Sequence, residues 1–182
     1  IHESLMRKPK LLDEPGLLDY AARILGMRAH SLGELREKLR RRASQLGDVD
    51  NVLKKLKEIG YLDDKRFAEN YAANRLAGDG LGKMRVLRDL RQRRVAPALA
   101  EKVVNETYRA IDEEALIEAW LARKLRSKDL PEWLSVDKNL ASAFRRLRTA
   151  GFSGPAAIRV LKRYTKQASA LEDFNEPEEP VE

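Results

Sequence analysis

Cysteine is absent from this 182-residue chain, and His2 and His30 are its two histidines. Without thiols there is no disulfide framework, no thiolate zinc site and no cysteine nucleophile, and two histidines cannot assemble a histidine-rich metal centre. No cofactor or metal is therefore expected. No run approaches the roughly 20 apolar residues that a membrane-spanning helix needs, and the opening IHESLMRKPK lacks the apolar core of a signal peptide. A soluble, cytoplasmic protein with no membrane partner is the expectation. Aromatic residues make up 6% of the chain, which limits how far base stacking can serve as a general binding mode.

Charge is what the chain has in quantity. Lys and Arg number 36 against 29 Asp and Glu, a formal net charge of +7. The last fourteen residues, SALEDFNEPEEPVE from Ser169, hold six acids and no base, which leaves 36 bases against 23 acids over residues 1–168, a body of +13. A folded body that basic suits a polyanionic partner, either nucleic acid or a nucleoprotein. The plainer alternative is a set of solvated helix faces.

Nearly every segment between turn signals carries helical spacing, and no stretch alternates apolar and polar residues long enough for a strand. The chain reads as all-α. In SLGELREKLRRR, Leu32, Leu35 and Leu39 share a face, and Ser31 with Glu34 forms a capping box at the helix start. In DVDNVLKKLKEIGY, Val49, Val52, Leu53, Leu56 and Ile59 make a buried stripe, with Asp48 as cap and Gly60 as the left-handed residue after the end. Asp63 caps the next helix, whose stripe includes Phe67 and Tyr71.

Internal repetition sets the architecture. A shift of 51 lays Tyr20-Ala21-Ala22 on Tyr71-Ala72-Ala73, Leu35 on Val86, Leu39-Arg40 on Leu90-Arg91, Arg42 on Arg93 and Val52 on Val103. A shift of 49 then carries Asp63, Phe67, Tyr71 and Leu76 onto Asp112, Leu116, Trp120 and Leu125. Leu32, Leu39 and Leu53 meet Leu140, Leu147 and Leu161 at a shift of 108, so the third copy has gained eight residues, assigned to the loop SKDLPEWLS. Gly151 ends its middle helix, and Gly154-Pro155 opens the last. Each copy is small for an independent core, so neighbours are expected to share buried surface as an elongated, curved row of three three-helix bundles. The expected divisions are a flexible arm over 1–14, repeats over 15–60, 61–110 and 111–168, and a disordered acidic tail over 169–182.

The second helix of each repeat is the candidate binding element. Repeat one supplies Arg36, Lys38, Arg40, Arg41 and Arg42, and repeat two supplies Lys83, Arg85, Arg88, Arg91, Arg93 and Arg94 with Asp89 as the one acid among them. Arg85, Arg88 and Arg91 recur every third residue beside Leu87 and Leu90, so a guanidinium row can flank a buried row. Repeat three has Arg145, Arg146 and Arg148, then Arg159, Lys162, Arg163 and Lys166.

Other features are read as structural. GDGLGKM over 78–84 has the wrong glycine spacing for a phosphate loop, lacks the Ser or Thr after Lys83, and follows a helix; it serves as a turn. The pairs Asp63-Asp64 and Glu113-Glu114 stand where helices begin and complement the dipole. His30 is expected at the surface. Tyr20, Tyr71 and Trp120 occupy equivalent positions on apolar faces and are core residues, whereas Trp133 is either an exposed anchor or a loop side chain tucked onto the body. Nothing assembles a nucleophile, base and oxyanion site, so no enzyme is expected.

The stretches LGMRAHSLGELREKLRRR, VLKKLKEIGYLDDKRFAENYAANR and GLGKMRVLRDLRQRRV together resemble the RecX family, bacterial regulators of the RecA recombinase. The resemblance covers residues 17–168 and is most specific at Gly60-Tyr61-Leu62-Asp63-Asp64 with Arg66-Phe67-Ala68. It implies a row of three-helix repeats and a non-enzymatic protein that binds the groove of RecA–DNA filaments. It further implies inhibition of recombinase, ATPase and coprotease activity, hence modulation of DNA repair and the SOS response, with weaker affinity for single- or double-stranded DNA. A monomer fits such a groove binder. One departure stands out: the family commonly has glycine where this chain has Arg94. The alternative reading is a stand-alone DNA-binding protein with helix-turn-helix-like units. Against it, Gln92 is the one amide in the basic helix of repeat two and lies near its end, away from where base readers sit.

Overall fold

The computed structural model describes residues 10–174, and its regular structure there is helical, apart from an isolated bridge between Leu12 and Ala43. Ten α-helices follow in order among the described residues: α1 (Glu14–Met27), α2 (Leu32–Arg40), α3 (Leu46–Glu58), α4 (Asp64–Asn74), α5 (Lys83–Gln92), α6 (Pro97–Tyr108), α7 (Glu113–Lys124), α8 (Leu130–Leu134), α9 (Asp137–Thr149) and α10 (Gly154–Lys162). A π-helical turn, Arg75–Asp79, extends α4, and a 3-10 segment, Lys166–Phe174, follows α10. The chain divides into two compact units, one holding residues up to Ala68 with Leu90–Ala100, the other Glu69–Asp89 with residues from Glu101 onward.

The core of the first unit joins Leu17, Ala21 and Ile24 of α1 and Leu62 to the predicted stripe positions Leu35 and Leu39 of α2 and Val49, Val52, Leu53 and Leu56 of α3; Ile59, expected in that last stripe, is instead exposed just past the end of α3. Each fully buried leucine or valine stabilises the fold by about 1.5–3 kcal/mol relative to exposure. Asp13 caps α1 by accepting from Gly16 N at 3.0 Å, and the Leu12 amide donates to the Arg42 carbonyl at 2.7 Å. Leu12 and Asp13 are thus tied to the body and Glu14 opens α1, although the expected arm included all three; residues 1–9 of that arm lie outside the described residues.

Several expected caps are present. Ser31 and Glu34 form the capping box of α2, Asp63 accepts from Arg66 N at 2.9 Å to start α4, and Gly60 stands at φ 80° after α3. The cap expected at Asp48 is corrected: α3 begins earlier, at Leu46, and Asp48 lies inside its first turn. His30 also departs from its expected surface position. It is buried, with Nδ1 2.9 Å from the Arg28 carbonyl, and burial lowers its pKa.

One joint in the first unit holds the start of α2 against the end of α5. The Ser31 hydroxyl donates to the Arg93 carbonyl, the Arg93 guanidinium lies 3.4 Å from the Glu34 carboxylate, and the Leu32 amide donates to the Asp64 carboxylate at 2.7 Å. Burial raises the Glu34 carboxyl, but hydrogen bonds from Arg28 and the Ser31 amide and the charges of Arg28 and Arg93 outweigh it and leave the pKa lowered. Asp64 ends up raised, because burial exceeds the help from Leu32. The approach is close enough that a Cβ on Gly33 would sit 2.6 Å from the Arg94 carbonyl oxygen.

In the second unit the joint recurs with different chemistry. The positions 51 residues beyond Ser31–Glu34 are Gly82–Arg85, and here Gly82 N donates to the Ala150 carbonyl at 2.8 Å and Met84 N to the Gly151 carbonyl at 3.1 Å. Gly151, at φ 94°, plays the part that Arg94 plays in the first unit, where that arginine adopts φ 59°. Glycine is the expected residue for such a backbone, since a Cβ crowds the following carbonyl there. The backbone at Arg94 therefore favours the glycine that the family commonly has there, and nothing in the structure explains the arginine.

The second core joins Ile117, Trp120 and Leu121 of α7 to α9, α10 and the 3-10 segment through Phe144, Leu147, Phe152, Leu161 and Leu171. The segment expected as the loop SKDLPEWLS instead contains α8, capped by Asp129, and Trp133 is half-buried against this core rather than projecting as an anchor. Leu171 is buried although the tail was expected to start at Ser169; residues 175–182 of that tail lie outside the described residues.

Candidate functional site

The eleven cations singled out on α2 and α5 separate into two groups once their surroundings are known. Three are structural ties. Arg42 places its guanidinium 5.2 Å from the Tyr20 ring centroid, half-buried; Arg93 bonds Glu34; and Arg85 donates from Nε to Asp89 at 2.9 Å and from a terminal nitrogen to the Thr149 carbonyl at 3.3 Å. Asp89, the one acid of the α5 row, thus fixes a neighbouring arginine and also accepts from the Tyr71 hydroxyl at 3.1 Å.

The remainder face outward, apart from half-buried Lys38. Arg36 meets Asp50 at 3.5 Å and Arg41 meets Glu37 at 3.1 Å, exposed pairs worth under about 1 kcal/mol each and easily exchanged for another anion. Arg36 and Arg40 line an open cleft of about 340 Å³ with Leu46, Val49 and Asp50. On α5, Lys83, Arg88 and Arg91 are exposed, and Arg94 is exposed just beyond the helix end. Arg40, Lys83, Arg88 and Arg94 have no carboxylate at ion-pair distance among the described residues.

The basic run near the end of the third repeat is different. Arg159 meets Glu114 at 2.5 Å, Arg163 meets Glu114 and, at 3.1 Å, Glu118, and Lys162 meets Glu172. These cations hold α10 to α7 and to the 3-10 segment, so the helix-start acids at 113–114 do more than complement a dipole. Glu113 accepts from the Ser153 amide at 2.7 Å and hydroxyl at 2.8 Å. Sequence spacing could not reveal the pairings of Glu113, Glu114 and Glu118, because their partners lie forty or more residues away.

Sequence reasoning passed over Lys124. With Arg85, Arg145 and Arg146 it rims a cleft in the second unit of about 380 Å³ whose other walls are Leu81, Trp120, Ser142, Thr149 and Ala150. Arg146 holds its guanidinium 5.7 Å from the Trp120 ring centroid. No cluster of three His, Asp or Glu with metal-binding geometry occurs among the described residues, and no helix there is long and apolar enough to cross a membrane.

Short packed helices that carry outward cations define an all-α helical protein. Comparison with known proteins gives that class its family. The family model for the second three-helix domain of RecX matches residues 63–104, which span α4 to α6. The chain is 36% identical over 150 residues to the regulatory protein RecX of Deinococcus radiodurans, covering 81% of this chain and 69% of that one. It is 30% identical over 113 residues to RecX of Pelodictyon phaeoclathratiforme, covering 62% and 68%. The crystal structure of RecX from Lactobacillus salivarius superposes with a TM-score of 0.62 over 83% of this chain and 96% of that one, at 16% identity, a likeness of fold. The chain belongs to the RecX family of regulatory proteins.

Proposed function

We propose that this protein is a non-enzymatic, cytoplasmic regulator that binds RecA–DNA filaments as a monomer and inhibits their recombinase, ATPase and coprotease activity, modulating DNA repair and the SOS response. Beyond family membership, the supporting observation is the set of outward cations Arg40, Lys83, Arg88 and Arg94 that no carboxylate holds among the described residues. A filament presents phosphates and acidic subunit surfaces together, and a protein with several moderate contacts gains avidity when more than one engages at once. In this reading the outward members of the α2 and α5 rows, Arg36, Arg40 and Arg41 with Lys83, Arg88, Arg91 and Arg94, make the contacts. Lys38, Arg42, Arg85 and Arg93 support them by positioning.

The test is ATP hydrolysis by the cognate RecA on single-stranded DNA during titration with this protein, with its binding to the same naked DNA measured in the same buffer. Inhibition at concentrations well below those that occupy naked DNA is the expected result. Inhibition only once the naked DNA is saturated would replace the filament by simple competition for DNA. The variant R88E/R91E should weaken inhibition; unchanged inhibition would remove α5 from the contact surface.

A further inference from the structure

The cleft of the second unit has a composition that the basic rows alone do not explain. Its apolar lining is Leu81 with the largely buried Trp120 and Ala150, while four cations from three helices surround it: Arg85 of α5, Lys124 of α7, and Arg145 and Arg146 of α9. No carboxylate lines it. Two of the cations are held in place, Arg85 by Asp89 and the Thr149 carbonyl and Arg146 by the Trp120 ring, so their charge is presented without much further loss of side-chain freedom. Lys124 and Arg145 are exposed. The hydroxyls of Ser142 and Thr149 add neutral hydrogen-bonding groups on the walls.

We propose that this cleft binds one unpaired nucleotide of a single-stranded nucleic acid, the base resting against Leu81, Trp120 and Ala150 and the flanking phosphates held by Lys124 and Arg145, with Arg85 positioned behind them by Asp89. A strand carries an anion on either side of each base, and the rim offers cations from different helices around an apolar lining. The volume, about 380 Å³, suits a group of nucleotide size. A duplex keeps its bases paired and stacked, so the recess selects single strands, whereas the outward rows on α2 and α5 offer charge alone and do not. Arg88, one turn along α5 from Arg85, continues the phosphate path out of the cleft. An acidic peptide with an apolar side chain is the competing occupant; the hydroxyl-bearing walls and the single-sign rim favour the nucleotide.

The inference extends the nucleic-acid side of the proposed function and is independent of filament inhibition. Its test uses the full chain and naked oligonucleotides, in fluorescence anisotropy. Single-stranded DNA should bind more tightly than duplex of the same length, and replacing its bases by abasic sites should weaken binding roughly tenfold, the usual effect of losing base contact with an aromatic side chain. In K124E/R145E, at exposed positions whose folding circular dichroism checks, the abasic effect should disappear. With Trp133→Phe leaving Trp120 as the sole tryptophan, single-stranded DNA should quench its emission and polyglutamate should not. Equal binding of abasic and intact strands, or quenching by polyglutamate instead of DNA, would overturn the proposal. The RecA inhibition assay on the same double variant separates the two readings, because a filament contact through α2 and α5 survives loss of the cleft.

Discussion

Arg94 and Gly151 make the same turn at φ 59° and 94°, one with a side chain and one without. An L-residue in the left-handed region costs about 1–2 kcal/mol, so Arg94→Gly should stabilise the protein by about 1 kcal/mol after the added freedom of the unfolded chain is subtracted. Gly151→Ala should act in the opposite direction and more strongly. Its Cβ would lie 2.7 Å from the Gly82 carbonyl oxygen as well as taking the unfavourable backbone, so a loss above about 3 kcal/mol is expected. Urea unfolding of both variants checks the pair; a stabilised Gly151→Ala would mean that the joint in the second unit has room for a side chain. The sequence already marked Gly151 as a helix end, but the demand at Arg94 is visible only in the backbone. An arginine there gives no composition signal of a left-handed turn.

At the scale of the helix, local signals were legible and joints were not. Ser31 with Glu34, Asp63 before α4, Asp112 before α7 and the leucine stripes of α2 and α3 are all short-range patterns, and the structure contains them as helix starts and faces. The use of a capping box as a joint depends on a residue 62 positions away, beyond any periodicity. Ser31 satisfies the Glu34 amide and also donates to the Arg93 carbonyl, in a buried position. Removing a serine cap alone costs about 1 kcal/mol, and leaving a buried carbonyl without its donor adds about 1–3 kcal/mol. Ser31→Ala should therefore lose more than a cap explains, about 2–4 kcal/mol by chemical denaturation. The exposed cap Asp129→Ala at α8 is the control and should lose about 1 kcal/mol or less. Equal losses would reduce Ser31 to a simple cap. The same blindness to long-range pairing explains why the α10 basic run looked like a binding stripe until Glu114 and Glu118 were found beside it, and why Lys124 was passed over.

Across the whole chain, the sequence-level charge of +7 overstates what a partner meets in some places and understates it in others, because pairing redistributes it. Arg159 and Arg163 are already opposed by Glu114 and Glu118, whereas Arg88 and Arg94 have no such carboxylate among the described residues. Only a cation that neutralises a phosphate releases a counterion, so the salt dependence of binding counts contacts rather than residues. If about four such cations engage single-stranded DNA, affinity should fall roughly fifty-fold between 50 and 200 mM salt. Arg88→Ala should reduce the slope of log affinity against log salt by about 0.7. Arg159→Gln, although it removes an equal formal charge, should leave that slope unchanged, because its guanidinium already pairs at 2.5 Å with Glu114. Oligonucleotide titrations of the two variants across that salt range decide the matter. Equal slope changes would mean that binding reads net charge as a diffuse field. A change confined to Arg88→Ala would mean that it reads the outward row on α5.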